Sequence, residues 1–162
     1  MKICKICANN EILCKVCSDK LNRGEIAKID VDVSRAIEKI KRDFDLKDVD
    51  FEFCFNGEQS ILIVTKKMGG LIGPGGKNVK KLAEYLGKPV RIIKSPNTPK
   101  ELIENLIGIS PLIGINVLFK NGEERYKVRL KNEFKKKLSM QVREFTEIFK
   151  HLTGKNIELV FE

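Results

Sequence analysis

The sequence predicts an α+β protein: two small units of the same element order, placed behind a short N-terminal segment organised by cysteines. Three observations carry that prediction. Alternating, β-branched runs interrupted by an Asn-Gly pair occur twice, across 49–66 and 112–131. Each is flanked by amphipathic helical patterns and closed by a short apolar run, at 90–94 and 156–161. Ahead of both stands Cys4-x2-Cys7-x6-Cys14-x2-Cys17, in a stretch too short to bury a core. The domains that follow are 1–22, 25–95 and 98–162, with Ser95-Pro-Asn-Thr-Pro99 as a short rigid linker. The repeated order reads as an internal structural duplication.

Composition narrows the class of function. With 42% hydrophobic and 33% charged residues among 162, the chain reads as soluble and globular. No run approaches the roughly 18 apolar residues of a membrane span, and no signal-peptide pattern opens the chain, so the expectation is a cytoplasmic protein with no membrane partner. The net charge of +9 points to a polyanionic partner, and its placement is sharper than its total. Residues 24–58 carry six basic and ten acidic side chains, whereas residues 66–94 carry eight basic side chains against Glu84 alone. The cations gather around one glycine-rich stretch.

Taken in order, the four N-terminal cysteines come first. Two CxxC pairs supply four soft thiolates that a compact turn can draw into a tetrahedron, the arrangement of structural Zn2+. Asn9-Asn10 supplies the turn between them, and the metal would provide the folding free energy of so small a knuckle. An iron–sulfur cluster or disulfides are the other chemistries open to these residues. Nothing in the pattern suggests an open coordination position, so a closed structural site at Cys4, Cys7, Cys14 and Cys17 is expected rather than a catalytic one.

Asp32 is placed to cap a helix running to about Phe44, with Val33, Ile37, Ile40 and Phe44 on one face. A hairpin follows, turning at Asn56-Gly57. Phe51, Phe53 and Phe55 should alternate onto the face beneath the helices, with Cys54 on the other. The next strand is apolar on both faces and calls for cover on each. In the second unit, Thr98-Pro99-Lys100-Glu101 combines an N-cap, a proline at N1 and a capping-box glutamate. A second hairpin at Asn121-Gly122, a long helix from about Asn132 to Leu152 and a strand at 156–161 complete the chain. Arg125, Lys127, Arg129 and Lys131 share one face by their period of two; a guarded edge strand and a polyanion track explain them equally well.

The glycine stretch runs Met68-Gly-Gly-Leu-Ile-Gly-Pro-Gly-Gly-Lys-Asn-Val79, between a strand and a helix that ends at Gly87. Glycine permits positive φ and close backbone approach, and a helix start presents free amides to phosphate. A P-loop would need glycine at Leu71 and Ser or Thr at Asn78; a dinucleotide fingerprint from Gly73 would need glycine at Asn78. Both fail.

What fits is Ile72-Gly73-Pro74-Gly75-Gly76-Lys77-Asn78-Val79, which resembles the signature of the KH domain. Its continuation, Lys80-Lys-Leu-Ala-Glu-Tyr-Leu-Gly-Lys-Pro-Val-Arg-Ile-Ile93, is similar to the NusA-type (type II) KH family in its archaeal form. The resemblance implies a type II KH domain over 25–95 followed by a KH-like α-β-β-α-β unit. That second unit has Leu130-Lys-Asn-Glu-Phe-Lys-Lys-Lys137 where the glycines should be, so it cannot form the loop.

The resemblance further implies that Gly73, Pro74, Gly75 and Gly76 clamp the backbone of single-stranded RNA, or of single-stranded DNA as a related ligand. Lys66, Lys67, Lys77, Lys80 and Lys81 would add charge, Ile72 and Val79 an apolar base groove, and Arg91 its far strand. Many KH loops carry a basic residue between the outer glycines; Pro74-Gly75 is neutral, so binding leans on the lysines around it. A role in transcription elongation or termination follows from the same resemblance. An adaptor docking on RNA polymerase or the ribosome, or the recruiting subunit of an RNA-processing enzyme, are the rival readings. A single His, no H-E-x-x-H and no nucleophile elbow argue against intrinsic catalysis or a small-molecule substrate.

Overall fold

The computed structural model describes residues 2–162. The chain divides into two compact units, Met1–Ser95 and Pro96–Glu162. Both are α+β, and each contains a three-stranded sheet.

In the first unit, two short helices, α1 (Lys5–Ala8) and α2 (Lys15–Asn22), precede α3 (Lys28–Asp43), β1 (Phe53–Asn56) and β2 (Ile61–Thr65). Then come α4 (Met68–Ile72), a single 3-10 turn at Pro74–Gly76, α5 (Lys77–Leu86) and β3 (Val90–Lys94). The sheet order is β1-β2-β3, with β1 antiparallel and β3 parallel to β2. The connection from β2 to the parallel β3 is a crossover made by α4 and α5. One core forms where Val33, Ala36, Ile37 and Ile40 of α3 meet Ile61 and Ile63 of β2, Leu71 of α4 and Leu82 of α5. A second, smaller cluster holds Ile3, Cys7, Ala8 and Cys17 against Ile26 and Val31, so the cysteine segment packs on the start of α3.

Three features of this unit differ from the sequence reading. Helix α3 begins before Asp32, and Asp30 caps it: its Oδ2 accepts the Ala27 N–H at 2.7 Å. Phe53 and Phe55 pair with Val64 and Leu62 on the face turned away from α3, while Cys54, paired with Ile63, lies in the helix-side core. The cause is local. Glu52 N–H donates to the Val64 carbonyl although Phe53 already opposes Val64, so two residues face one and the alternation slips after Phe51. The hairpin is not the two-residue Asn-Gly turn either. Asn56 pairs with Ile61 and the loop spans Gly57 to Ser60, held by Lys88 Nζ, which donates to the Gly57 carbonyl and to Asn56 Oδ1.

The second unit holds α6 (Pro99–Ile107), β4 (Leu112–Lys120), β5 (Glu123–Leu130), a 3-10 turn at Asn132–Phe134, α7 (Val142–Thr153) and β6 (Asn156–Phe161). The topology repeats: order β4-β5-β6, β4 antiparallel and β6 parallel to β5. The predicted cap is present, with Thr98 Oγ1 accepting the Glu101 N–H at 3.1 Å. Asn121 and Gly122 both take positive φ, 56° and 77°, as a two-residue primed turn requires. Leu102, Ile103 and Leu106 of α6, Phe145, Ile148 and Phe149 of α7, and Tyr126, Val128 and Leu130 of β5 are buried. Tyr126 and Phe149 meet edge to face at 5.4 Å between ring centres.

Two expectations fail here. The long helix from Asn132 does not form; α7 starts at Val142, and Val142 is exposed rather than part of the apolar face. Backbone pairing explains it: the Asn132 N–H donates to the Glu162 carbonyl and Glu162 N–H to Leu130, which holds this segment to the end of β6. Strand β5, with its alternating cations, is central and not an edge. Edge guarding therefore does not account for Arg125, Lys127 and Arg129.

Candidate functional site

The cysteine group and the glycine loop both lie in the first unit. Cys4 and Cys14 are the N-caps of α1 and α2, and Cys7 and Cys17 stand in the first turns of those helices. The two turns are cross-linked by amide–sulfur bonds: Cys4 N–H donates to Cys17 Sγ at 3.4 Å, and Cys14 N–H to Cys7 Sγ at 3.1 Å. All four sulfurs lie within 4.8 Å of one another. A tetrahedral Zn–S site needs sulfurs about 3.8 Å apart, given bonds of about 2.3 Å. The donor set is therefore close enough to hold a zinc ion.

Electrostatics favour thiolates at the outer pair. The Cys7 N–H lowers the Cys4 thiol, and the Cys17 N–H lowers Cys14 to about 7. Cys7 is pulled down by the Cys14 N–H, but burial and the neighbouring thiols outweigh it and push the group up to about 12. A cation held among the four would stabilise every thiolate, that of Cys7 included. Arg35 of α3 secures the segment from behind, donating through Nη2 to the Glu11 carbonyl at 2.8 Å and through Nε to the Cys7 carbonyl at 3.4 Å. Cys54 stands apart from this group: its buried Sγ donates to Asp30 Oδ1 at 3.1 Å, and desolvation raises its pKa.

The glycine loop is a helix–turn–helix. Gly73 terminates α4 at φ 73° and ψ 170°, a region essentially reserved for glycine, and Gly75 and Gly76 follow at φ 61° and 75°. Asn78 locks the turn. It is buried, and its Nδ2 donates to the Gly70 carbonyl at 2.7 Å, joining the start of α5 to the end of α4. A Cβ on Gly73 would stand 2.6 Å from Asn78 Cγ, so glycine is needed there for space as well as for φ. Around Gly75 nothing lies within 4 Å, and Pro74 and Gly75 are exposed.

The predicted residues are brought together in part. Ile72, Gly73, Pro74, Gly75, Gly76, Lys77, Val79 and Lys80 lie together at the α4–α5 junction, each at least partly exposed. Val79 Cγ1 and Lys80 Cε would lie 3.7 and 4.0 Å from a Cβ at Gly76. Lys77 Nζ sits 4.3 Å from the centre of the Phe44 ring, at the end of α3. Lys81 is directed along α5 to Glu84, at 3.0 Å, and over the Tyr85 ring.

Lys66 and Lys67 stand at the opposite end of α4, Lys67 about 9 Å of helix rise from Gly73. There they line a pocket of about 570 Å³ with Asp48, Asp50 and Glu52, and Lys66 pairs with Glu52 at 3.3 Å. Arg91 pairs with Leu62, on the sheet face away from α3, and burial lowers its pKa. Asn78 and Phe44 are not legible as site residues in the sequence. No helical or loop pattern distinguishes a buried, bridging Asn from an exposed one.

No family model matches this chain, and no curated protein does. Solved structures resemble it; one, described as "Crystal structure of APE1850", aligns with a TM-score of 0.56 at 20% identity, covering 79% of this chain and 96% of that one. That likeness concerns the fold. No helix among the described residues is long and apolar enough to cross a membrane.

Proposed function

We propose that this protein binds single-stranded RNA without catalysing a reaction on it, using the Gly73–Gly76 loop as a KH-type clamp, and that the cysteine segment carries a structural Zn2+. The observation that carries the reading is the rigid, exposed helix–turn–helix, whose three glycines hold positive φ and whose registry Asn78 fixes. Such a turn lets a phosphodiester backbone come close without meeting a Cβ, and the first amides of α5 then face it. Lys77 and Lys80 bring charge to the same place. Ile72 is half-buried and Val79 buried only in part by its neighbours on α5, and together they offer an apolar surface to the bases.

The unit's element order, α-β-β-α-turn-α-β with a parallel closing strand, is consistent with the type II KH resemblance. A transcription-linked, NusA-like role in the cytoplasm is the cellular setting this resemblance favours. The second unit has no glycine between β5 and α7, where the loop would have to lie, so the clamp function rests on the first.

A second reading has its own support. Ile6, Ile12 and Val16 are exposed around the cysteine group, which is unusual for aliphatic side chains and suits docking onto a protein such as a polymerase or ribosome. One experiment separates the two. Replacing Pro74 and Gly75 together with Asp should cost at least tenfold in affinity for a labelled single-stranded RNA, with the circular dichroism spectrum unchanged. Asp tolerates the φ of 61° at position 75. Full retention of binding would refute the clamp and leave the adaptor reading.

A further inference from the structure

Strand β4 is the edge of the second sheet and pairs only with β5 among the described residues. It is nine residues long, against four for β1 at the corresponding edge of the first sheet. From Ile113 to Phe119 it carries no charge and no proline to protect a free edge; a bulge at Ile113, where the pairing with β5 shifts register, interrupts only its start and leaves Gly114 to Lys120 regular. Ile113, Val117, Leu118 and Phe119 are exposed, Phe119 at 77%. Beside the strand runs an apolar groove of about 440 Å³, lined among others by Pro99, Ile109, Ile113, Ile115, Val117 and Tyr126.

We propose that this edge is a self-association surface, on which a second copy of the chain adds its own β4 antiparallel. The argument for that occupant is the strand's symmetry. A two-fold axis at Asn116 sets Ile113 opposite Phe119, Ile115 opposite Val117 and Gly114 opposite Leu118, so that apolar residues meet apolar residues or glycine throughout. Shifting the axis by one residue breaks this. Centred on Ile115, Asn116 would leave the axis to face Gly114 and Phe119 would fall opposite Pro111, outside the strand; centred on Val117, Asn116 would face Leu118 and Ile113 would face Asn121.

Facing decides the rest. Val117 pairs with Tyr126 and Ile115 with Val128, both buried on the helix side of the sheet, and Phe119 shares their parity. Ile113 lines the same groove as Ile115 and Val117. Phe119 of one copy therefore lies over Ile113, at the groove of the other, and the isologous contact fills both grooves with the same residue. Charge does not oppose the arrangement. Arg125, Lys127 and Arg129 of the two copies would stand three strand spacings apart, about 14 Å, beyond the Debye length of about 8 Å at physiological salt. Within each copy Arg129 is already paired with Glu162.

The test is sedimentation of the full chain from low to high micromolar concentration, together with Phe119→Lys and Asn116→Cys variants. The expected result is a mass rising from 18.5 kDa toward twice that value. Phe119→Lys, at a position too exposed to threaten folding, should weaken association at least tenfold. Asn116→Cys should give a disulfide that joins this position in the two copies, identifiable by peptide mass, since opposed strand residues lie about 4.5–5.5 Å apart at Cα, within disulfide reach. Lys100→Cys should not link. A monomer at every concentration overturns the proposal, as does a dimer that Phe119→Lys leaves intact and that links elsewhere.

Discussion

Gly73→Ala is the substitution that most directly tests how the loop is built. Two penalties add at this position. The backbone, at φ 73° and ψ 170°, lies where only glycine sits comfortably, and holding alanine there costs about 1–3 kcal/mol. The new methyl would also stand 2.6 Å from Asn78 Cγ, so Asn78 must leave. Its departure removes the partner of the part-buried Gly70 carbonyl, a loss of about 0.5–1.5 kcal/mol. The total is about 1.5–4.5 kcal/mol. Gly75→Ala, at φ 61° with nothing within 4 Å, carries only the left-handed penalty of about 1–2 kcal/mol. Urea unfolding followed by circular dichroism would measure both. A double-mutant cycle isolates the contact: in an Asn78→Ala background the clash is gone, so Gly73→Ala should cost distinctly less than in the native chain. Additive costs, or equal effects of alanine at 73 and 75, would refute this account of the turn.

Phe149→Ala removes a fully buried ring that meets both Tyr126 and Phe145, and should destabilise the second unit by about 3–5 kcal/mol in the same unfolding assay. Chelation of the purified protein should release zinc, measured by metal analysis, and selectively loosen residues 2–22 in hydrogen exchange, because that segment's own apolar cluster is small. Glu52 is held below the usual carboxylate range by the Ser95 hydroxyl and by Lys66. A depressed carboxylate contributes stability above its unfolded pKa and loses it as pH falls through the folded value. Ser95→Ala should therefore raise the Glu52 titration midpoint seen by NMR, and weaken the protein at neutral pH but not below the folded pKa.

Much of the architecture is readable because local signals and tertiary demands agree. Lys77 to Leu86, with its glycine stop, and the strands at 90–94 and 156–161 fall where periodicity puts them. Asn121-Gly122 makes the expected primed turn because nothing competes for it. Asn56-Gly57 does not, since Lys88, thirty-one residues beyond Gly57, binds the loop and favours a longer one. A period-two count places Phe51 correctly but puts Phe53 and Phe55 on the wrong face, because it cannot see one extra residue at Glu52. The start of α7 is hidden for a related reason: a helical pattern from Phe134 is overridden by backbone pairing to Glu162. At the cysteines, spacing alone indicates the ligand set. The capping positions that orient the sulfurs become legible only with the helices in place.

The charge pattern of the two units separates what a polyanion would meet. On sequence, Arg125, Lys127 and Arg129 share one face and read equally as a polyanion track or as a guarded edge. In the fold they lie on a central strand whose neighbours answer them: Arg129 donates twice to Glu162 at 2.9 Å, and Lys127 stands opposite Glu158 of β6. Lys77 and Lys80 flank the glycine turn itself, and Lys77 rests on an aromatic ring rather than a carboxylate.

Counterion release makes this measurable, because each phosphate neutralised on a single strand contributes about −0.7 to the slope of log K against log[salt]. Contact with about five phosphates predicts a slope near about −3.5 for the native protein. Replacing Lys77 and Lys80 together with Ala should flatten that slope by about 1.4, two phosphates' worth. Replacing Arg125 and Lys127 should leave it within one contact, about 0.7, of the native value. If the second pair flattens the slope and the first does not, RNA lies on the second sheet, and the glycine loop is a turn that holds two helices together.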